Sequence, residues 1–103
     1  MKKAAAENFA GKSKAANYFA DNHALSGTLY FDETALLFVP RNTEAQKNNV
    51  CILYNEIKAI ETFRTLGFIA NGMMLLTKKG KQHRFAVNNR KAVIAFLDNK
   101  RQV

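Results

Sequence analysis

Four cations crowd one short stretch of this chain: Lys78, Lys79, Lys81 and Arg84. Three of them flank a single glycine, Gly80, and the fourth follows on a segment that alternates like a strand. Ammonium and guanidinium groups at this density concentrate anions near the surface, whether phosphate head groups, nucleic acid or acidic protein patches. Each lysine held near an anionic bilayer is worth about 1 kcal/mol. Lys12 and Lys14, just ahead of the first expected strand, add to the same candidate site if the N-terminal segment folds back. The chain as a whole carries a net charge of +8 over 103 residues, which favours anionic partners throughout.

The other reactive side chains do not form a catalytic set. His23 and His83 fall in different hairpins with no third ligand at metal spacing, so no metal site is expected. Glu56 and Glu61 have no His, Ser or Lys arrangement beside them that would make an acid–base pair. Cys51 is the only cysteine; it lies in the apolar run Val50 to Tyr54 and reads as a small buried hydrophobe. A nucleophilic thiol needs an electropositive, accessible setting, which this run does not provide. Tyr18, Tyr30 and Tyr54 would be needed for base stacking on a nucleic acid, yet their neighbours fit core alternation. The expectation is therefore a non-catalytic protein without a cofactor. One cysteine permits no internal disulfide, and the N-terminus lacks the apolar run of an export signal, so a cytoplasmic setting is expected. No window approaches the ~18 apolar residues of a membrane span.

These side chains must be positioned by short elements. Residues 1–15 read as a tail or a short helix, marginal in water unless Phe9 packs on the domain. Residues 16–100 then form one domain. Strands are expected at Ala16 to Ala20, Thr28 to Phe31, Ala35 to Val39, Val50 to Tyr54, Ile57 to Phe63, Met73 to Thr77 and Gln82 to Val87. Turns are expected at Asp21-Asn22-His23, at Asp32-Glu33-Thr34, at Asn71-Gly72 after the short apolar run Gly67 to Ala70, and at Lys79-Gly80. Asn-Gly is a strong hairpin signal because both residues tolerate positive φ. Arg41 to Asn49 is polar and reads as an exposed loop. Met73 to Thr77 is apolar on both faces, as a central covered strand would be. Asn88 or Asn89 is placed to cap a closing helix, whose stripe Ala92, Val93, Phe96 and Leu97 must bury against the sheet. Seven short strands need a closed or sandwiched sheet to hide their edges.

The order of these motifs is similar to that of a GRAM domain. Ala16-Asn17-Tyr18-Phe19, Gly27-Thr28-Leu29-Tyr30-Phe31 and Leu36-Leu37-Phe38 resemble its opening strands, and Ile52 through Ile57 its middle motif. Asn71-Gly72, Thr77 through Lys81, Arg84-Phe85-Ala86-Val87 and Arg90 resemble its closing block. The likeness spans roughly residues 12–99 and departs at Phe31-Asp32 and in the turn Asp32-Glu33-Thr34. It implies a mainly β, pleckstrin-homology-like fold: a barrel of two near-orthogonal antiparallel sheets, about seven strands, capped by one C-terminal helix. The small stand-alone bacterial type is the nearest in size. The resemblance further implies a non-enzymatic module that binds membrane lipids, phosphoinositides included, or proteins. In the related pleckstrin homology fold the first inter-strand loop usually holds inositol phosphates with clustered basic residues. Here that loop, Asp21 to Ser26, has neither lysine nor arginine. Arg90 is expected to act structurally, by pairing with a carboxylate or by capping strand ends. Docking on anionic lipid through Lys78, Lys79, Lys81 and Arg84 is the leading expectation. Capture of a peptide or partner at a sheet edge is the alternative, with nucleic-acid binding behind it.

Overall fold

Alternating burial runs along most of the chain and resolves into seven strands and one helix. The computed structural model describes residues 8–20, 23–42 and 49–101. The strands are β1 (Ser13–Ala20), β2 (His23–Phe31), β3 (Ala35–Pro40), β4 (Val50–Leu53), β5 (Ile57–Thr65), β6 (Ile69–Thr77) and β7 (Gln82–Val87), followed by helix α1 (Arg90–Arg101). All strand pairs are antiparallel, and one hydrogen-bonded order, β4-β3-β2-β1-β7-β6-β5, contains all seven. β1 joins the two halves. It pairs with β2 from Ser13↔Tyr30 to Ala20↔His23, but with β7 only from Ala16↔Val87 to Phe19↔Arg84. The chain steps between the two outermost strands, β4 and β5, through a single 3-10 turn, Tyr54–Glu56. Three residues span at most about 10 Å, so the sheet has to curl until its edges approach. The result is the expected mainly β architecture, a curled half-barrel closed by one C-terminal helix.

The helix closes it with the expected stripe. Val93 and Leu97 are fully buried, Phe96 nearly so, and Ala92 packs at their margin. Phe96 meets Phe9, Phe31 and Tyr54 edge-on at 5.7, 5.6 and 6.2 Å between ring centroids. Such aromatic contacts add to the free energy of burial itself. The Tyr54 hydroxyl donates to the Asp32 carbonyl at 2.8 Å, tying the 3-10 turn to the β2–β3 turn. Burial, with the nearby Asp32 charge, pushes that phenol up to about 12. Asn89 takes φ 56, which asparagine tolerates, and its carbonyl receives the amides of Ala92 and Val93 at the start of the helix.

Several expectations change. β1 starts at Ser13, so the expected boundary between residues 15 and 16 falls inside a strand. Phe9 is 3% exposed and stacks on Phe31 at 5.1 Å, so the segment before β1 belongs to the core. Asn71-Gly72 is not a turn: both residues lie within β6. A Cβ at Gly72 would come within 2.6 Å of the Phe63 ring and 2.5 Å of its carbonyl oxygen, so the glycine serves close packing rather than a bend. The chain turns earlier, at Leu66-Gly67. Cys51 is exposed, because strand alternation turns Ile52 inward and its neighbours outward. The first inter-strand loop shrinks to Asp21 and Asn22, which lie outside the described residues, while His23 through Ser26 belong to β2. Of the expected loop Arg41 to Asn49, residues 43–48 also lie outside them. The remaining turns, Asp32 to Thr34 and Lys79-Gly80, stand where expected, and β6 is central with Met73 and Leu75 fully buried.

Candidate functional site

The β6–β7 turn is built by its backbone and leaves its lysines outside. Thr77 and Lys81 exchange bonds across it: the Thr77 amide donates to the Lys81 carbonyl at 2.9 Å, and the Lys81 amide donates to Thr77 Oγ1 at 3.0 Å. The Gly80 amide donates to the Thr77 carbonyl at 2.9 Å, with φ 91 at Gly80, a value that suits glycine. The Lys78 amide donates to the Glu56 carbonyl at 2.9 Å, which fastens the turn to the 3-10 segment. Lys78, Lys79 and Lys81 are all exposed, and no carboxylate of the described residues forms an ion pair with them.

Arg84 projects from β7 on the outer face of the sheet, where its guanidinium donates to Gln82 Oε1 at 3.0 Å. Its cross-strand neighbours are Phe19 on β1 and Met74 on β6, and Glu61 on β5 completes that row. On this face lies an open cleft of about 1030 Å³ lined by Phe19, Phe63, Leu66, Lys81 and Arg84 among others. The rings of Phe19 and Phe63 approach edge-on at 6.1 Å above the small residues Gly72 and Ala86. The cleft therefore brings Lys81 and Arg84 onto one surface.

Lys12 and Lys14 do not join them. Because β1 runs antiparallel to β7, the N-terminal end of β1 lies beyond Val87, whereas the basic turn precedes Gln82. Lys14 instead sits opposite Leu29, with its ammonium 5.8 Å from the centroid of the Phe9 ring. The Lys12 carbonyl accepts the Phe31 amide. Arg90 acts on the frame, as expected: its guanidinium donates to the carbonyls of Phe63 and Gly72 at 2.9 and 3.0 Å, clamping β5 to β6 from the helix. His83 faces inward, where its Nδ1 lies 3.0 Å from the Tyr18 hydroxyl. Burial, and then the Lys81 charge, hold it below the usual imidazole range. Among the described residues no three His, Cys, Asp or Glu side chains come together as metal ligands. Nor is any helix of those residues long and apolar enough to cross a membrane.

Two features of this region escaped motif reading. From Thr62 to Leu97 the chain carries seven Lys or Arg residues and no Asp or Glu. A scan for missing carboxylates, rather than for clustered lysines, finds this stretch from the sequence alone. The second is the β5–β6 turn. Leu66 (φ 53) and Gly67 (φ 80) both have positive φ, the Phe68 amide donates to the Thr65 carbonyl at 3.2 Å, and Thr65 pairs with Ile69 across this three-residue connection. The side chains at this tip point to solvent: Leu66 is 79% exposed and Phe68 72%, with Ile69 at the exposed margin. Leucine is not a residue that predicts such a turn, so no sequence signal marked it.

The sequence matches no protein-family model and no curated protein. Solved structures do share the fold. The C-terminal domain of an unknown protein from Leishmania infantum superposes with a TM-score of 0.76 at 17% identity, over 89% of this chain and 83% of that one. Inner Membrane Complex sub-compartment protein 3 from Toxoplasma gondii superposes with a TM-score of 0.67 at 13% identity, over 87% of this chain and 74% of that one. At these identities the likeness is one of fold.

Proposed function

We propose that the chain is a non-catalytic, GRAM-type binding module that docks on anionic lipid surfaces, led by the β6–β7 turn. The observation that carries this reading is the carboxylate-free stretch from Thr62 to Leu97, whose cations include Lys78, Lys79 and Lys81 on one exposed turn and Arg84 on the adjoining face. A surface without internal counter-charges keeps its positive potential for an external anion. His23 through Ser26 belong to β2 and include no lysine or arginine, which favours diffuse docking over a head-group pocket there. Glu61 is the one exposed carboxylate on the Arg84 row and offsets part of the charge there.

Strand addition at a sheet edge is the competing reading, and the edges favour it less. β4 has only four residues, and β5 carries register shifts at Ile57/Ala59 and Phe63/Thr65. Short and irregular edges resist pairing with another strand.

Co-sedimentation with phosphatidylcholine vesicles, with and without phosphatidylserine, tests the proposal. Recovery should rise with phosphatidylserine and fall steeply with salt. The Lys78→Glu/Lys79→Glu/Lys81→Glu variant should lose at least about 100-fold in partitioning, since each lysine near such a surface is worth about 1 kcal/mol. Equal recovery on neutral and anionic vesicles would sink the proposal, whereas unchanged peptide capture by the variant would favour strand addition.

A further inference from the structure

The β5–β6 tip holds a side chain where two independent preferences oppose it. Leu66 takes a left-handed backbone conformation, which is disfavoured for an L-residue with a Cβ. Its side chain is then 79% exposed, and Phe68, two residues on, is 72% exposed. Asparagine or glycine at position 66 would relieve both costs. Among the described residues nothing compensates them: the tip is absent from the buried core, and a Cβ at the neighbouring Gly67 would meet no atom within 4 Å. Leu66, Phe68 and Ile69 are consecutive around one turn, unlike the scattered exposed hydrophobes common on soluble surfaces.

The surroundings indicate what the tip meets. Arg64 is exposed at its base, and no carboxylate follows until Asp98. Leu66 lines the same cleft as Arg84 and Lys81, so the apolar tip opens onto the face that carries the cations. Apolar side chains projecting from a cationic face match a bilayer interface, with anionic head groups outside and acyl chains beneath. An acidic protein surface would satisfy the cations but leave Leu66 and Phe68 in water.

We infer that the β5–β6 tip is an apolar wedge: Leu66 and Phe68 enter the head-group and acyl boundary of an anionic bilayer. This inference rests on the membrane reading above and adds insertion to it. The outer face of β5, β6 and β7 then lies along the membrane, with the wedge at one end of β6 and the lysine turn at the other.

The chain has no tryptophan, so Phe68→Trp creates a sole tryptophan, excited selectively over the three tyrosines, at the tip. With phosphatidylserine-containing vesicles its emission should move to the blue and be quenched by brominated lipid. The Leu66→Asn/Phe68→Thr variant should lose about tenfold or more in partitioning, as expected when apolar burial is removed. Its salt dependence should be retained, and its melting temperature should be unchanged or higher, so the loss cannot come from misfolding. Sedimentation of the Phe68→Trp protein with its emission still that of water would overturn the wedge and leave electrostatic docking intact. No sedimentation on anionic vesicles would overturn both. Blue-shifted emission that grows with protein concentration in the absence of lipid would assign the tip to a second copy of the chain and overturn the wedge.

Discussion

The two turns that end β6 differ in chemistry, in bonding and in backbone: the one before it has two residues of positive φ, Leu66 and Gly67, and the one after it has Gly80 alone. Nine residues of strand place them about 30 Å apart. Both reverse an antiparallel pair, and both use a glycine with positive φ. The turn at Lys78 to Lys81 is bonded on several sides, through Thr77 and the Glu56 carbonyl. Its lysines sit where solvent already suits them. The turn at Leu66-Gly67 has a leucine in a conformation that disfavours it and two large apolar groups in water. One end is an ordinary solvated turn whose meaning depends on collective charge. The other is locally unfavourable, and that makes it the stronger pointer to an external partner.

Substitutions in the core that both ends share, and then at each end in turn, should separate their roles. Phe96 lies in neither turn and packs the helix over the common core. Phe96→Ala should cost about 3–5 kcal/mol in urea unfolding. Amide exchange should then rise at both ends of β6; a rise at one end alone would mean that the ends are held independently. Gly72→Ala acts on the apolar end, where a methyl would press on Phe63 and disturb the Arg90 clamp. A loss of about 1–3 kcal/mol is expected. Exchange should increase around Thr65 to Ala70 more than around Thr77 to Gln82, and the reverse pattern would remove Gly72 as the local support.

The smallest effect should come from His83, close to the basic end. Its folded-state pKa lies below the unfolded value of 6.5, so the unfolded chain takes up the proton first. The stability contribution of neutral His83 is complete above pH ~6.5 and is lost as pH falls from there toward the folded-state pKa. Thermal unfolding between pH 8 and 5 should therefore show a midpoint that falls on the acid side, with a shallower slope in His83→Gln. An identical slope in the variant would assign the acid sensitivity to other groups.

Much of the frame was legible in the residues, because alternation and turn chemistry agree along most of the chain. Met73 to Thr77 was recognisably central, and the stripe through Val93, Phe96 and Leu97 foretold the helix contact. The failures have separate causes. Asn71-Gly72 has turn chemistry, but Gly72 is a glycine because Phe63 lies over it. The run from Val50 to Tyr54 is apolar on both faces, so alternation alone did not show that Cys51 points outward. Lys12 and Lys14 were grouped with the hairpin lysines because the register of β1 against β7 is a long-range property. The partner of His83, Tyr18, is 65 residues away, beyond the reach of local pattern.

Arg90 has a consequence for the order of assembly. During synthesis the residues of β5 and β6 emerge before the guanidinium that donates to the carbonyls of Phe63 and Gly72. Until helix α1 is made and docked, those carbonyls lack the two Arg90 bonds. The β5–β6 hairpin is thus synthesised before the side chain that ties its two strands together from the helix.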